Sequence, residues 1–118
     1  MNIVGFEIQK QKVDKEVSDI LDSMNIRNES TTFVINHPPT FLETLDSKGV
    51  DLMFSGHTHR GQFWPLRYIT KSIYGKYYYG HNKFKNLQTI TTSGVGTAGP
   101  PIKLFNTPEI MEIKFISK

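Results

Sequence analysis

The chain contains no cysteine, which excludes disulfides and every thiolate metal site. It also lacks any apolar run approaching the ~20 residues that a membrane-spanning helix requires. The first residues, Met1-Asn2-Ile3-Val4-Gly5-Phe6, do not show the basic-then-apolar profile of a secretion signal. They read instead as the start of a strand, as though the sequence opens in mid-domain. No internal repeat, low-complexity tract or linker interrupts the chain. Acids are missing where bases gather: Arg60, Arg67, Lys71, Lys76, Lys83 and Lys85 follow one another with no Asp or Glu between them. Such an excess favours an anionic ligand (phosphate, nucleic acid or a lipid headgroup) or forms a solvated rim.

What is present suits one small domain with a modest core. The chain has 118 residues, 37% hydrophobic and 21% charged, with a formal net charge of +3, and this composition does not indicate disorder. Val4, Phe6 and Ile8 alternate with Gly5 and Glu7 and predict a strand buried on one face. Val13, Val17, Ile20, Leu21 and Met24 recur at helical spacing, with Asp14, Lys15, Glu16, Asp19 and Asp22 mostly facing water. Asn25 to Ser30 is a polar loop. Thr32 to Asn36 is a β-branched and aromatic run, which suits a strand covered on both faces.

Pro38-Pro39 ends that strand. Thr40 with Glu43 matches a capping box for a helix of roughly two turns, with Phe41, Leu42 and Leu45 inward and Gly49 just past its end. Val50 to Ser55 is the next strand, so strand, helix and strand form a parallel βαβ unit with a right-handed crossover. Phe63-Trp64-Pro65 is an aromatic loop, and Leu66 to Tyr74 a short helix with Ile69 and Ile73 on one side. Tyr77 to Phe84 and Leu87 to Thr92 read as a hairpin about Lys85-Asn86. Ser93 to Pro101 is a glycine-rich loop. Glu109 to Ile116 alternates as a last strand.

The histidines carry the chemistry. His37 follows one strand of the βαβ unit, and His57 and His59 follow the other. Ligands of open α/β sheets bind beyond the carboxyl ends of the strands, and imidazole is the commonest protein ligand for a catalytic metal. Gly56 offers a sharp turn. An extended segment would point His57 and His59 to one side, with Thr58 opposite. A zinc site of three imidazoles with one open position is chemically possible. His81 sits apart in the hairpin. A hydrolytic pair of metals needs carboxylates as well, and none is expected beside the histidines. Asp51 starts its strand, Asp14, Glu16, Asp19, Asp22, Glu43 and Asp46 lie on helices, and Glu109 and Glu112 lie in the last strand.

Val34-Ile35-Asn36-His37-Pro38-Pro39, then Gly49-Val50-Asp51 through Ser55-Gly56-His57-Thr58-His59, then Arg60-Gly61-Gln62 resembles the calcineurin-like metallophosphoesterase superfamily. The closest likeness is to its bacterial and archaeal branch with a Gly-His-Thr-His-x-Gly-Gln signature. Ser93-Gly94-Val95-Gly96-Thr97-Ala98-Gly99-Pro100-Pro101-Ile102-Lys103 resembles the glycine-rich segment near that branch's C-terminus. The resemblance runs from Ile3 to Phe115. It implies an α/β fold: residues 1–118 as a single partial domain, the C-terminal half of a four-layer αββα sandwich with a βαβ unit, a hairpin and a final strand in mixed sheets.

It also implies a site of two divalent metals (Mn, Fe or Zn). His37 and His57 would ligate one and His59 the other, while Asn36 and Gly56 shape the loops. Arg60, standing where the family most often has glycine, and Gln62 would lie near substrate. The family's Asp-x-His, Gly-Asp and Gly-Asn-His motifs, which bring the bridging aspartate and the remaining ligands, do not occur in this sequence. The expectation is therefore phosphoester hydrolysis by a two-metal enzyme to which this chain gives three histidines. Alone it would hold at most one metal weakly, be inactive, and need its N-terminal half or self-association. Phosphodiesters, phosphomonoesters, nucleotides and lipid-linked pyrophosphates all fit that chemistry. No specific nucleic-acid partner is expected. The sequence does not specify a compartment: soluble, cytoplasmic, or membrane-peripheral if an N-terminal part carries an anchor. The competing readings are a non-catalytic fragment, or an anion- or nucleic-acid-binding module using the basic and aromatic stretch from Lys71 to Lys85.

Overall fold

A computed structural model describes residues 1–6, 13–24, 30–99, 101, 104 and 106–116. Ile8, the loop from Asn25 to Glu29, and Pro100, Ile102 and Lys103 lie outside them. In chain order the elements are β1 (Asn2–Gly5), α1 (Asp14–Ser23), β2 (Thr32–Ile35), α2 (Leu42–Ser47), β3 (Leu52–Ser55), α3 (Leu66–Tyr74), β4 (Gly80–Phe84) and β5 (Leu87–Thr91). They form an α/β protein with one mixed five-stranded sheet in the order β1-β2-β3-β5-β4. β1, β2, β3 and β5 are parallel, and β4 returns antiparallel on β5. The βαβ unit and the hairpin stand as the sequence predicts.

The register explains the core. Val4, Val34 and Met53 lie side by side across three strands, and Val17 and Leu21 of α1 and Leu45 of α2 close over them. All six are 3% exposed or less. Removing such side chains from water is the main force holding the layer together. Gly49 adopts φ +71 just past α2, the left-handed conformation expected of a C′ residue. The capping box does not form. Phe41 is the residue before α2, and it has no side-chain hydrogen bond there. The Thr40 hydroxyl instead accepts a bond from Asn36 at 3.2 Å.

Two strand expectations are corrected. Tyr77 and Tyr78 belong to a 3-10 turn over Gly75–Tyr78, and the strand starts at Gly80. The carbonyls of Tyr77 and Tyr78 accept the hydroxyls of Thr91 and Thr58, so they are not free for a ladder. Glu109 to Ile116 is not a strand. A strand needs a hydrogen-bonding edge beside it, whereas this segment passes over the sheet's face: Phe115 stacks on Phe33 with centroids 4.7 Å apart.

That face is apolar. Ile3 and Phe33 share it with Leu52, and Ile35 shares it with Phe54 and Ile90. Ile3 is 60% exposed and Ile35 52%, an unusual state for isoleucines on the strands of a parallel sheet. The Phe115 segment covers Phe33 but leaves Ile3 and Ile35 exposed, and among the described residues β1 is an edge strand; both features promote association. We expect the isolated chain to self-associate at micromolar concentration in sedimentation velocity, and Ile35→Thr to weaken that association. A monomer with cooperative unfolding under those conditions would contradict this.

Candidate metal centre

The two loops that carry the histidines are extensions of the β2–β3 ladder. The Asn36 N–H donates to the Phe54 carbonyl at 3.0 Å, and the Gly56 N–H donates to the His37 carbonyl at 2.9 Å. Asn36 is buried, and its amide donates to the Pro38 carbonyl at 2.9 Å and to Thr40. The loop after β2 is thereby folded back, and His37 is presented toward the end of β3. The imidazoles of His37 and His57 meet edge to face, with centroids 5.1 Å apart and planes 80° apart. Two imidazoles sharing one tetrahedral ion, with metal–nitrogen distances of about 2.0–2.1 Å, have centroids about 5 Å apart. The pair fits one ion in that respect.

His57 has its pKa lowered, first by burial and then by the proximity of His37 and His59. The shift favours the neutral imidazole, the form that ligates a metal. A shallow cleft beside His37 is lined by Phe6, Ile35, Phe54, Ser55 and Thr92, so this end of the site adjoins the exposed part of the apolar face at Ile35.

His59 does not join the pair in a three-imidazole cage. Among the described residues no three His, Asp or Glu side chains form a group able to hold a metal. The reason is local. The segment is curled: His57, His59 and Arg60 have φ of 62°, 45° and 52°, and Thr58 between the histidines is helical at φ −70°. Alternation of side chains, which requires extended backbone, is lost. The turn expected at Gly56 begins at His57. The His59 Nδ1 is buried and has no hydrogen-bond partner among the described residues. An orphaned imidazole nitrogen is costly in the protein alone and is a donor atom suited to a metal.

Several contacts hold the curl. The buried Thr58 donates its hydroxyl to the Tyr78 carbonyl at 2.6 Å and accepts the Arg60 N–H at 3.3 Å. The Asn106 amide donates to the His59 carbonyl. Gln62, also buried, donates to the Ala98 carbonyl at 3.2 Å and accepts the Ala98 N–H at 2.7 Å. Its amide thus ties the glycine-rich loop to the histidine turn. Gly61 sits at φ +76, and a Cβ there would lie 2.2 Å from the Arg67 Cα, so only glycine lets α3 start against this turn. Arg60 lays its guanidinium over the Tyr79 ring, 4.3 Å from the centroid.

Among the described residues, Asp51, Asp46 and Glu109 are engaged in contacts of their own. Asp51 accepts the Thr32 N–H at 2.8 Å at the start of the strands. Asp46 accepts the N–H groups of Asn86 and Leu87 and pins the hairpin turn. Glu109 was not expected near the carboxyl ends of the strands, yet it is bonded there. Its oxygens accept the Thr92 hydroxyl, the Ser93 N–H and the Tyr79 hydroxyl at 2.7–2.8 Å. Alternating hydrophobicity hid this role by suggesting a strand. His81 is exposed and pairs with Gln88 at 2.8 Å. In the stretch from Lys71 to Lys85, Lys85 pairs with Glu43, and Lys76 donates to the Lys83 carbonyl.

Comparison with known proteins finds relatives along the chain. An uncharacterised metallophosphoesterase of Helicobacter pylori is 31% identical over 100% of this chain and 33% of its own length. A protein of Caenorhabditis elegans, also named as a metallophosphoesterase, is 33% identical over 73% of this chain and 19% of its own. An uncharacterised metallophosphoesterase of Aquifex aeolicus is 29% identical over 80% and 36%, respectively. The chain spans 19–36% of the length of the curated relatives it matches. No family profile matches it, and no solved structure does.

The Glu109 cluster has a pH signature. Burial raises the Glu109 pKa, but the bonds from Ser93, Tyr79 and Thr92 outweigh it and hold the carboxyl below its ordinary value of 4.5. The bond to Glu109 raises the Tyr79 pKa in turn. A lowered carboxyl pKa contributes stability above the unfolded value, and that stability is lost as pH falls through the folded one. We expect the melting temperature to fall as pH drops below about 4.5. Glu109→Gln should melt lower at neutral pH and show a flatter decline between pH 5 and 3. Equal slopes for the two proteins would contradict the assignment.

Proposed function

We propose that this chain is the C-terminal portion of a metallophosphoesterase catalytic domain and takes part in two-metal hydrolysis of phosphoester bonds. The observation that carries the reading is the His37–His57 pair at the ends of adjacent parallel strands, in a chain whose curated relatives are metallophosphoesterases by name. In this reading His37 and His57 hold one divalent metal, and His59 offers its buried nitrogen to a second. When bound, such metals supply an activated hydroxide and a clamp for the phosphate oxygens. The protein's part is to keep His57 neutral and to hold the two histidine loops in fixed register. Arg60, beside His59, adds positive charge where a phosphate would sit.

The bridging carboxylate belongs, in this reading, to polypeptide that precedes this chain in a complete enzyme. Two features support that. The carboxylates bonded in this structure serve structural contacts, and the apolar sheet face carrying Ile3 and Ile35 has the character of the inner face of a two-sheet sandwich. The second sheet and the missing ligands would arrive together.

The test is a chimera. The chain replaces the matching segment of the Helicobacter pylori relative, and hydrolysis of an aryl phosphodiester is measured with Mn²⁺. The expected result is metal-dependent turnover that falls by at least about 100-fold with His57→Ala, since even outer-shell changes at metal sites cost 10–100-fold. The 118-residue chain alone should give no more than a trace. A chimera indifferent to His57→Ala, or an isolated chain with turnover abolished by that change, would overturn the proposal.

A further inference from the structure

A second cleft lies between the His59–Gly61 turn and α3. Phe63, Trp64 and Tyr68 line it together with Arg60, Arg67 and Asn106, and its volume is about 200 Å³. It is small for a drug-sized ligand, whose sites run to about 300–1,000 Å³, and suits one planar ring system. Trp64 is 68% exposed and Tyr68 64%, which leaves their rings free to stack. Both cations are oriented by aromatic groups: Arg60 over Tyr79, and Arg67 with its guanidinium donating to the Tyr78 hydroxyl at 3.4 Å. From Leu52 to Pro108 the chain has no Asp or Glu, and Glu109, which follows, is held by Tyr79, Thr92 and Ser93.

We propose that this cleft binds the base of a nucleoside phosphate, with the base between the aromatic rings and the phosphate directed by Arg60 and Arg67 toward the histidines. This rests on the phosphoesterase reading and deepens it by naming a substrate class. Rings with adjacent guanidiniums are the arrangement that binds bases without reading their sequence: every base offers a π-face, and arginine adds a cation–π and a phosphate contact. The placement relative to the metal centre is set by the chain itself. Arg60 follows His59 directly, and Asn106 lines the cleft while its amide donates to the His59 carbonyl. The cleft thus adjoins the backbone of the His59 turn, and in this proposal the ring lies among the aromatic side chains with the phosphate at the arginines. An acyl chain would find the rings but would gain nothing from the two guanidiniums beside them.

Trp64 is the sole tryptophan, so intrinsic fluorescence excited at long wavelength reports on the cleft. The chain is titrated in EDTA, without metal, with AMP, ribose 5-phosphate, inorganic phosphate and octyl phosphate. Saturable quenching by AMP is expected, about tenfold tighter than ribose 5-phosphate or octyl phosphate, because stacking of one base is worth about 1–3 kcal/mol. Tyr68→Ala and Arg67→Ala should each weaken AMP about tenfold with an unchanged circular dichroism spectrum, and Tyr68→Phe should keep the affinity. Equal affinities for AMP and ribose 5-phosphate, tighter binding of octyl phosphate, or no saturable quenching by AMP would each overturn the proposal. Because the titration needs no metal, it separates from the metal centre. AMP binding retained in a protein that fails the chimera test sustains the cleft and sinks only the catalytic reading. A functional chimera whose parent chain ignores AMP does the reverse.

Discussion

The bond from the Gly56 N–H to the His37 carbonyl, with its companion from Asn36 to Phe54, is the constraint on which the site depends. These two bonds carry the parallel register of β2 and β3 one residue beyond each strand. Parallel strands bring their carboxyl ends to one edge. Extending the ladder fixes which residues meet at that edge. A one-residue slip would move every side chain of β3 to the opposite face, separating His57 from His37 and turning Met53 out of the core. The packing of Val4, Val34, Met53, Val17, Leu21 and Leu45 resists such a slip. Core packing and site geometry are in this sense the same interaction seen from the two ends of the sheet.

Beyond His57 the chain leaves regular structure under strain. His57, His59, Arg60 and Gln62 all have positive φ, which costs roughly 1–2 kcal/mol for each residue with a Cβ. The opposing contacts come from three separate parts of the sequence: Thr58 to Tyr78, Asn106 to His59, and Gln62 to Ala98, while the missing Cβ of Gly61 leaves room for Arg67. This explains why a turn of a few residues needs the glycine-rich loop and the 106–116 segment around it. Strain of this kind gathers at ligand sites. Here it separates His59 from the His37–His57 pair and turns Arg60 toward the aromatic cleft.

Much of the fold was legible in the residues. The β2–α2–β3 unit, α3 and the β4–β5 hairpin follow from periodicity and turn residues, because each is stabilised by contacts near in sequence. The placement of His37 near His57 followed from topology alone. What was not legible depended on contacts distant in sequence. Thr40 and Glu43 fit a capping box, but Asn36 takes the Thr40 hydroxyl. The tyrosines at 77 and 78 suit a strand, but Thr91 and Thr58 bind their carbonyls. Glu109 to Ile116 alternates as a strand does, yet Glu109 is drawn to Thr92 and Ser93 and Phe115 to Phe33. His57 and His59 have the spacing of a two-residue clamp, but the backbone between them is helical. Local pattern gives the side-chain period only where the backbone is regular, and at this turn it is not.

The central claim is that His37 and His57 act as a pair on one metal. It is tested most directly by imidazole proton–nitrogen spectra of the labelled chain during addition of substoichiometric Mn²⁺, with exposed His81 as the internal control. The account predicts that the His37 and His57 signals broaden together at the first additions while His81 stays sharp. Equal broadening of His81, or broadening of His57 without His37, would contradict it.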